Sequence, residues 1–316
     1  MRIVVLDAAT LGADTDLTPL MALGTVTVWD NTAPEEIPQR IEEVEVIVAN
    51  KVRLMEPVLR DAKSLKLICL CATGYDCVDT AYCAAHGIGV CNVPGYSTQS
   101  VAQLTVALVL ELTNHLSVYR DYVHSGAYSR SGVANALTPV WHELYGKTWG
   151  IIGGGNIGRQ VARIAEAFGC RVLVCRRKPD AEYETTDVDT LCRESDIISI
   201  HVPLTAETRG MIGTKQIEAM KNTAIVINVA RGAVTDEVAL AEAVKSGRIA
   251  GLGVDVFSQE PFGPEHPFNG ILELPNVCLT PHTAWGALET RNRCIAMVAE
   301  NISAFCQGER KNRVEQ

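Results

Sequence analysis

The sequence reads as an α/β protein of two Rossmann-like or flavodoxin-like parallel-sheet domains, and three observations lead there. Short apolar runs alternate with helical segments from residue 1 to about residue 98. A glycine hexad, Gly153-Gly154-Gly155-Asn156-Ile157-Gly158, stands between an apolar strand and an amphipathic helix. A second series of apolar strands and helices then continues from Thr148. Repeated alternation implies parallel strands, because parallel neighbours need crossover connections, and the crossover helices cover both faces of the sheet.

In the first segment, Arg2 to Leu6, Val26 to Trp29, Val46 to Ala49, Leu67 to Leu70 and Val90 to Asn92 have strand character. Pro57 to Ala62 and Asp79 to His86 are helical candidates between them. Gln99 to Asn114 is a long apolar segment with helical spacing. His115 to Tyr145 comes next as an irregular stretch rich in Ser, Tyr, His and Gly, read either as a functional loop or as an arm packing on another subunit.

The hexad carries the first functional signal. Trp149 to Ile152 leads into glycines whose first, third and sixth positions fit G-x-G-x-x-G. The first allows a tight turn, the next lets backbone approach a pyrophosphate, and the last lets helix pack on strand. Behind it, Ile157, Val161, Ile164, Ala165 and Phe168 mark one helix face, Gly169 stands where a C-cap belongs, and Arg171 to Cys175 is a second buried strand. The stretch is a βαβ dinucleotide half-site. Strands at Ile197 to His201, Ala224 to Val229, Gly251 to Val256 and Val277 to Thr280 bring the set to six, with helices at Thr214 to Met220 and Glu237 to Ser246. The last helix, about Glu289 to Cys306, returns to the first domain. The expected division is residues 1–98 plus 287–316 as a discontinuous substrate-binding domain and 99–286 as the dinucleotide-binding domain, with the active site in the interdomain cleft.

Where the second strand ends, a carboxylate would receive an adenosine ribose hydroxyl and a cation would receive a 2′-phosphate. Arg176-Arg177-Lys178 stand there. This favours NADP(H), with NAD(H) possible; the plainer reading is a solvated basic turn.

Composition sets bounds. The length, 316 residues, suits two domains of about 150 residues each. A net charge of −9 argues against nucleic acid and anionic membranes as partners. The longest apolar stretch, Val101 to Leu112, is too short to span a bilayer, so no membrane association is expected. Met1 to Asp7 has a strand pattern and no signal-peptide character, which implies a cytoplasmic protein. Eleven cysteines without a C-x-x-C pair read as reduced core thiols, and no metal site is expected.

Three residues suited to acid–base chemistry lie after strands of the second domain: Arg231, Glu260 and His282. Each alone has a bland explanation as a surface cation, a solvated carboxylate or a satisfied imidazole. Together, beside a nicotinamide, they suit reversible hydride transfer to a 2-oxo acid. Arg231 holds the carboxylate and polarises the C2 carbonyl, His282 protonates the developing alkoxide, and Glu260 orients the imidazole.

The chain resembles the D-isomer-specific 2-hydroxyacid dehydrogenases over essentially its whole length, through GGGNIG, HVPLTAETRG, INVARGAVTDEVAL, GLGVDVFSQEP and LTPHTAW. The resemblance implies that Arg231, Glu260 and His282 are catalytic. It implies that Ala72, Thr73 and Gly74 bind the substrate carboxylate through backbone N–H groups, and that Asp255 meets the nicotinamide carboxamide. It places Thr105 near the cofactor phosphates, with further cofactor contacts from Gly153, Gly155, Asn156, Ile157, Gly158, Arg176, Arg177, His201, Pro203, Thr208, Val229 and Ala230. The stretches ATGYDCVD, NVPGYSTQSVAQ and LELTNH are most similar to glycerate dehydrogenases, also called hydroxypyruvate reductases. Lys51 then meets a polar substrate end or faces solvent. Arg176 departs from the acidic residue of NAD-using members. The implied activity is reduction of hydroxypyruvate to D-glycerate, with glyoxylate as a possible second substrate, in a homodimer formed through the segment after Gln99. The competing expectations are a D-lactate-type enzyme and a non-catalytic NAD(H)-sensing protein.

Overall fold

The apolar runs of the sequence fold as short strands that are mostly buried on both faces, as a parallel sheet covered by helices demands. In the computed structural model, which describes residues 1–178 and 181–315, the chain divides into two units, Met1–Ser97 with Trp285–Gln316, and Thr98–Ala284. Gln316, the end of the expected first domain, lies outside the described residues.

The first unit carries β1 (Arg2–Val5), β2 (Thr25–Val28), β3 (Val46–Ala49), β4 (Leu67–Leu70) and β5 (Gly89–Cys91) in the order β2-β1-β3-β4-β5, every neighbour parallel. This is the flavodoxin-like doubly wound order. The two-residue period of the strands feeds two cores. Ile3, Val5, Val46 and Val48 face one, together with Cys294, Ile295, Val298 and Ile302 of the helix Leu288–Cys306. Val4, Leu6, Ile47 and Ala49 face the other.

The second unit carries β6 (Thr148–Ile152), β7 (Arg171–Cys175), β8 (Glu184–Thr186), β9 (Ile197–Ile200), β10 (Ile225–Asn228), β11 (Gly251–Val254) and β12 (Val277–Leu279), in the order β12-β11-β10-β9-β6-β7-β8, again parallel throughout. Here β8-β7-β6-β9-β10-β11 is the Rossmann order 3-2-1-4-5-6, and β12 adds a seventh strand beyond β11. The strand beyond the six expected from the sequence is β8, which reads Glu-Thr-Thr and lies at the sheet edge, where alternation is lost and the sequence carries no strand signal. The direction of winding reverses between β6 and β9. On one face the helix Thr98–Asn114 comes so close that a Cβ on Gly253 would meet Leu108 Cβ at 3.3 Å and Leu112 Cδ1 at 3.4 Å.

The segment 115–145 departs from its expected irregularity. His115, at φ 53°, ends the preceding helix, and Leu116–His124 and Ala127–Ser131 then form two further helices. Neither contains a buried residue, so no apolar stripe marks them in the sequence. Among the described residues, no single helix is long and apolar enough to cross a membrane.

The end of the chain closes the edge of the first sheet. Arg313 forms an antiparallel bridge with Cys91, Val90 N–H donates to Glu315 Oε2 at 2.8 Å, and Glu315 pairs with Arg313 and, at 3.1 Å, with Arg310. Burial opposes the charged form of Glu315, but its bonds to Arg313 and the Val90 N–H outweigh burial and hold the carboxyl below its ordinary range. A depressed folded-state pKa stabilises above the unfolded value of about 4.3, and that stability is lost as pH falls through the folded value. Glu315→Ala should therefore cost about 2 kcal/mol at pH 7, because it strands the buried Val90 N–H and Arg313. Thermal unfolding at pH 7 and at pH 3 checks this: the gap from wild type should be largest at pH 7 and shrink in acid.

Candidate active site

All strands of the second sheet point the same way, so their carboxyl ends form one edge. Ligands of open α/β sheets bind outside that edge, where the winding reverses. The reversal lies between β6 and β9, and the glycine turn and His201 come directly after those two strands. They touch: Gly153, at φ 107°, has no room for a Cβ, which would lie 2.6 Å from His201 O. Gly158 is equally constrained, since its Cβ would fall 1.9 Å from Gly153 O. Gly155 differs, because a Cβ there would meet nothing within 4 Å. The first and last glycines are thus required by the fold, and the middle one keeps space open.

The turn leads into the helix Asn156–Ala167, whose N-cap Gly155 offers no side-chain bond to the first N–H groups. An anion fits such an end, through those donors and the helix dipole. Both ring nitrogens of His201 are buried without a partner among the described residues, and burial pushes the imidazole down to about 3, so it is neutral near pH 7. Arg176 lies over the turn, with Cδ 3.1 Å from the place of a Gly154 Cβ. Arg177 is exposed and faces the loop after β9. The Thr205 hydroxyl foremost, with a backbone N–H and Arg177 adding to it, holds the Glu207 carboxyl below its ordinary value. In that loop Thr208 spends its hydroxyl on Pro203 O at 2.6 Å, which closes the turn. Open space at Gly155, uncapped N–H groups and orphaned imidazole nitrogens fit a dinucleotide. Thr105 is buried in the helix Thr98–Asn114 and donates to Val101 O at 2.8 Å.

Three adjacent strands, β10, β11 and β12, carry the acid–base residues. After β10, buried Asn228 shapes the turn: its Oδ1 accepts from Ala230 N at 3.0 Å and its Nδ2 donates to Arg231 O at 3.0 Å. Val229 is buried beside it, and Arg231 Nη1 donates to Ala230 O at 2.8 Å. Gly232 then packs on the loop after β11, where a Cβ would come within 2.1 Å of Phe257 C. That loop carries Glu260, whose Oε1 accepts from Phe257 N at 3.0 Å and whose Oε2 meets His282 Nδ1 at 2.6 Å. His282 itself has φ 55°, a left-handed backbone uncommon outside glycine. Asp255, wholly buried, pins both sides of it. Oδ1 accepts from Thr280 Oγ1 at 2.5 Å and Thr283 N at 2.8 Å, and Oδ2 accepts from Ala284 N at 2.9 Å. Sequence reasoning gave Asp255 a ligand role only and missed this clamp, and it missed Asn228 altogether. A polar residue at the end of an otherwise apolar strand was the available signal.

In the first unit, Ala72, Thr73 and Gly74 come after β4. Their N–H groups find no acceptor among the described residues, while Thr73 is fixed by Oγ1 to Val93 O at 2.9 Å and by Asn92 Nδ2 to its carbonyl at 2.7 Å. Lys51 lies just after β3 on a loop gathered by the buried Asp7 carboxylate, which accepts from the N–H groups of Asn50 at 3.0 Å, Lys51 at 2.6 Å and Val52 at 3.2 Å.

Residues 106–284 match the model of the D-isomer specific 2-hydroxyacid dehydrogenase, NAD binding domain. The chain is 38% identical to a glycerate dehydrogenase of Methylorubrum extorquens over 286 residues, 89% of each chain. It is 35% identical to a hydroxypyruvate reductase of Blautia hydrogenotrophica over 99% of each. Its fold is similar to the crystal structure of an NADPH-dependent glyoxylate/hydroxypyruvate reductase from Sinorhizobium meliloti in complex with NADP and malonate, with a TM-score of 0.84, 30% identity and coverage of 99% of this chain and 96% of that one.

Proposed function

The chain belongs to the D-isomer-specific 2-hydroxyacid dehydrogenase family, oxidoreductases that act on a CH–OH group with a nicotinamide cofactor, and we propose that it reduces hydroxypyruvate to D-glycerate, with glyoxylate as a second substrate and NADPH preferred. The observation that carries the chemistry is the 2.6 Å contact of Glu260 Oε2 with His282 Nδ1.

Each residue has a separate task. Arg231 takes the substrate carboxylate in its planar fork and polarises the C2 carbonyl. Because Glu260 occupies Nδ1, His282 transfers its proton from Nε2 to the oxygen at C2, and takes one back in the reverse direction. The Glu260 carboxylate fixes the ring and its tautomer and compensates the cationic form. Lys51 and the N–H groups of Ala72, Thr73 and Gly74 are assigned to the substrate. Gly153, Gly155, Asn156, Ile157, Gly158, Thr105, His201, Pro203, Thr208, Val229 and Ala230 are assigned to the cofactor, which supplies the hydride when bound. Asp255 Oδ2, which accepts only the Ala284 N–H among the described residues, keeps capacity for the carboxamide. Residues 99–286 are thereby assigned as the cofactor-binding part, and 1–98 with 287–316 as the substrate-binding part.

The relatives named for glycerate and hydroxypyruvate support the substrate, and the solved relative holding NADP supports the cofactor. The position of Arg176 over the glycine turn supports the cofactor choice independently. A second copy of this chain is the proposed partner. Val133, Leu137, Val140, Trp141 and Tyr145 lie in one segment at 62%, 76%, 67%, 47% and 77% exposure, an apolar series that a lone chain rarely leaves open.

Initial rates on hydroxypyruvate, glyoxylate and pyruvate test the substrate reading, and a strong preference for pyruvate would refute it. His282→Ala should lower turnover by roughly 10²- to 10⁴-fold while NADPH affinity, measured by fluorescence titration, stays nearly unchanged. Arg176→Asp should raise the NADPH KM by roughly ten- to a hundredfold and the NADH KM far less, the loss of one charge-assisted bond. Equal effects on both would remove Arg176 from 2′-phosphate recognition. Light scattering should give a dimer mass for wild type and a monomer mass for Leu137→Asp/Val140→Asp; a wild-type monomer would end the dimer proposal.

A further inference from the structure

One buried polar cluster of the second unit has no part in the chemistry above. Glu237 opens the helix Glu237–Lys245, yet it is not the cap of that helix: Asp236 is, accepting from Ala239 N at 3.0 Å. Glu237 is 9% exposed and turns its carboxylate inward. Oε1 accepts from Ser258 N at 2.8 Å, and Oε2 accepts from Ser258 Oγ and meets His266 Nε2 at 3.2 Å. The tautomer of His266 is set from its other side. Phe268 N donates to Nδ1 at 3.3 Å, so the ring proton sits on Nε2 and is donated to Glu237. The ring is walled by Phe257, Phe262 and Phe268, with centroids 5.9, 4.8 and 5.0 Å away. Two residues thus bring three neutral donors to one buried carboxylate, and such a carboxylate is costly unless its acceptor sites are filled.

These bonds hold the segment that aims Glu260. Ser258, gripped through both its N–H and its hydroxyl, lies between Phe257, whose N–H binds Glu260 Oε1, and Glu260 itself. Residues 258–260 are exposed and have no core packing of their own to fix them. Ser258 N also lies 2.2 Å from the place of a Gly232 Cβ, so the same grip sets the surface against which the Arg231 turn rests.

We propose that Glu237 is a positioning residue for the reaction: with His266 behind it and Ser258 in its grasp, it fixes the 257–260 segment and so the aim of Glu260 at His282. The inference rests on the reading of Glu260 and His282 as the proton-transfer pair. It is not a role in binding the cofactor.

Glu237→Gln is the decisive variant. Its amide oxygen can still accept from Ser258, but its NH₂ faces the His266 Nε2–H, and His266 can change tautomer only by giving up Phe268. The variant should lower kcat on hydroxypyruvate about ten- to a hundredfold, the usual consequence of a small misplacement at a catalytic group. NADPH affinity should change less than about twofold, since no assigned cofactor contact moves. The test of mechanism is a double-mutant cycle with Glu260→Gln. If Glu237 acts through Glu260, its substitution has little further effect once Glu260 is gone. Losses that multiply instead overturn the proposal, because a purely structural defect adds to the catalytic one. An unaffected Glu237→Gln beside an impaired Glu260→Gln also overturns it. A fully active Glu260→Gln strikes at the proton-transfer reading itself, and the positioning role falls with it. Should Glu237→Gln fail to fold, Ser258→Ala, which deletes the hydroxyl and keeps the N–H bond, replaces it in the same cycle with a smaller expected loss and the same criterion.

Discussion

The contact of the Gly232 backbone with Phe257 and Ser258 is the constraint on which the site depends. No side chain larger than hydrogen fits there, since a Cβ would lie 2.1 Å from Phe257 C and 2.2 Å from Ser258 N. Two loops from neighbouring strands are thereby pressed together, one bearing Arg231 and the other Glu260. A fork-shaped cation and a carboxylate on separate flexible loops would otherwise stand wherever solvation placed them. Their approach is made by backbone, which costs little conformational entropy, and is then locked by polar groups around it: Asn228 on one side and Glu237 on the other.

The third residue is fixed by a different device. His282 sits in a left-handed conformation, which costs a non-glycine residue of order 1 kcal/mol or more and persists only when its surroundings over-determine it. Asp255 does so with bonds to residues 280, 283 and 284, drawing the chain tight on both sides of the imidazole. Asp255 ends up with no exposed surface, and its Oδ1, which takes both the Thr280 hydroxyl and the Thr283 N–H, is committed to shaping the loop. The geometry of a 2.6 Å contact between His282 and Glu260 is then the meeting of two independently anchored loops, which explains why so many buried polar residues crowd the ends of β10, β11 and β12.

The parts of this arrangement differed in how far the sequence revealed them. Buried parallel strands announce themselves as apolar runs, so both sheets and the glycine turn were legible, as were Arg231, Glu260 and His282 through their motifs. β8 was not, because an edge strand of Glu-Thr-Thr has neither apolar run nor alternation. The helices at 116–124 and 127–131 were not, because a helix that buries nothing in its own chain shows no stripe. The supporting network escaped for a related reason. Glu237, Ser258 and His266 lie up to 29 positions apart, and their relation is made by the packing of a helix end against two loops, which no local spacing encodes.

The two ends of the second sheet therefore work under separate constraints. On one side of the winding reversal, the backbone of Gly153 and Gly158 must take the form it has for the fold to close, so any dinucleotide meets the same turn. The residues just after β7, Arg176 and Arg177, to which we assign the choice between dinucleotides, project from a strand end that Arg231, Glu260 and His282 do not share. On the other side, Asn228 shapes the Arg231 turn, Phe257 N–H fixes Glu260, and Asp255 holds the chain on both sides of His282. Under the proposed assignment, a change in cofactor charge is accommodated at β7 without disturbing proton transfer at β10 to β12. Conversely, a change that loosens the 257–260 segment reaches the reaction without reaching the cofactor turn. This separation is why turnover and cofactor affinity can be expected to respond to different substitutions, although one continuous sheet carries both.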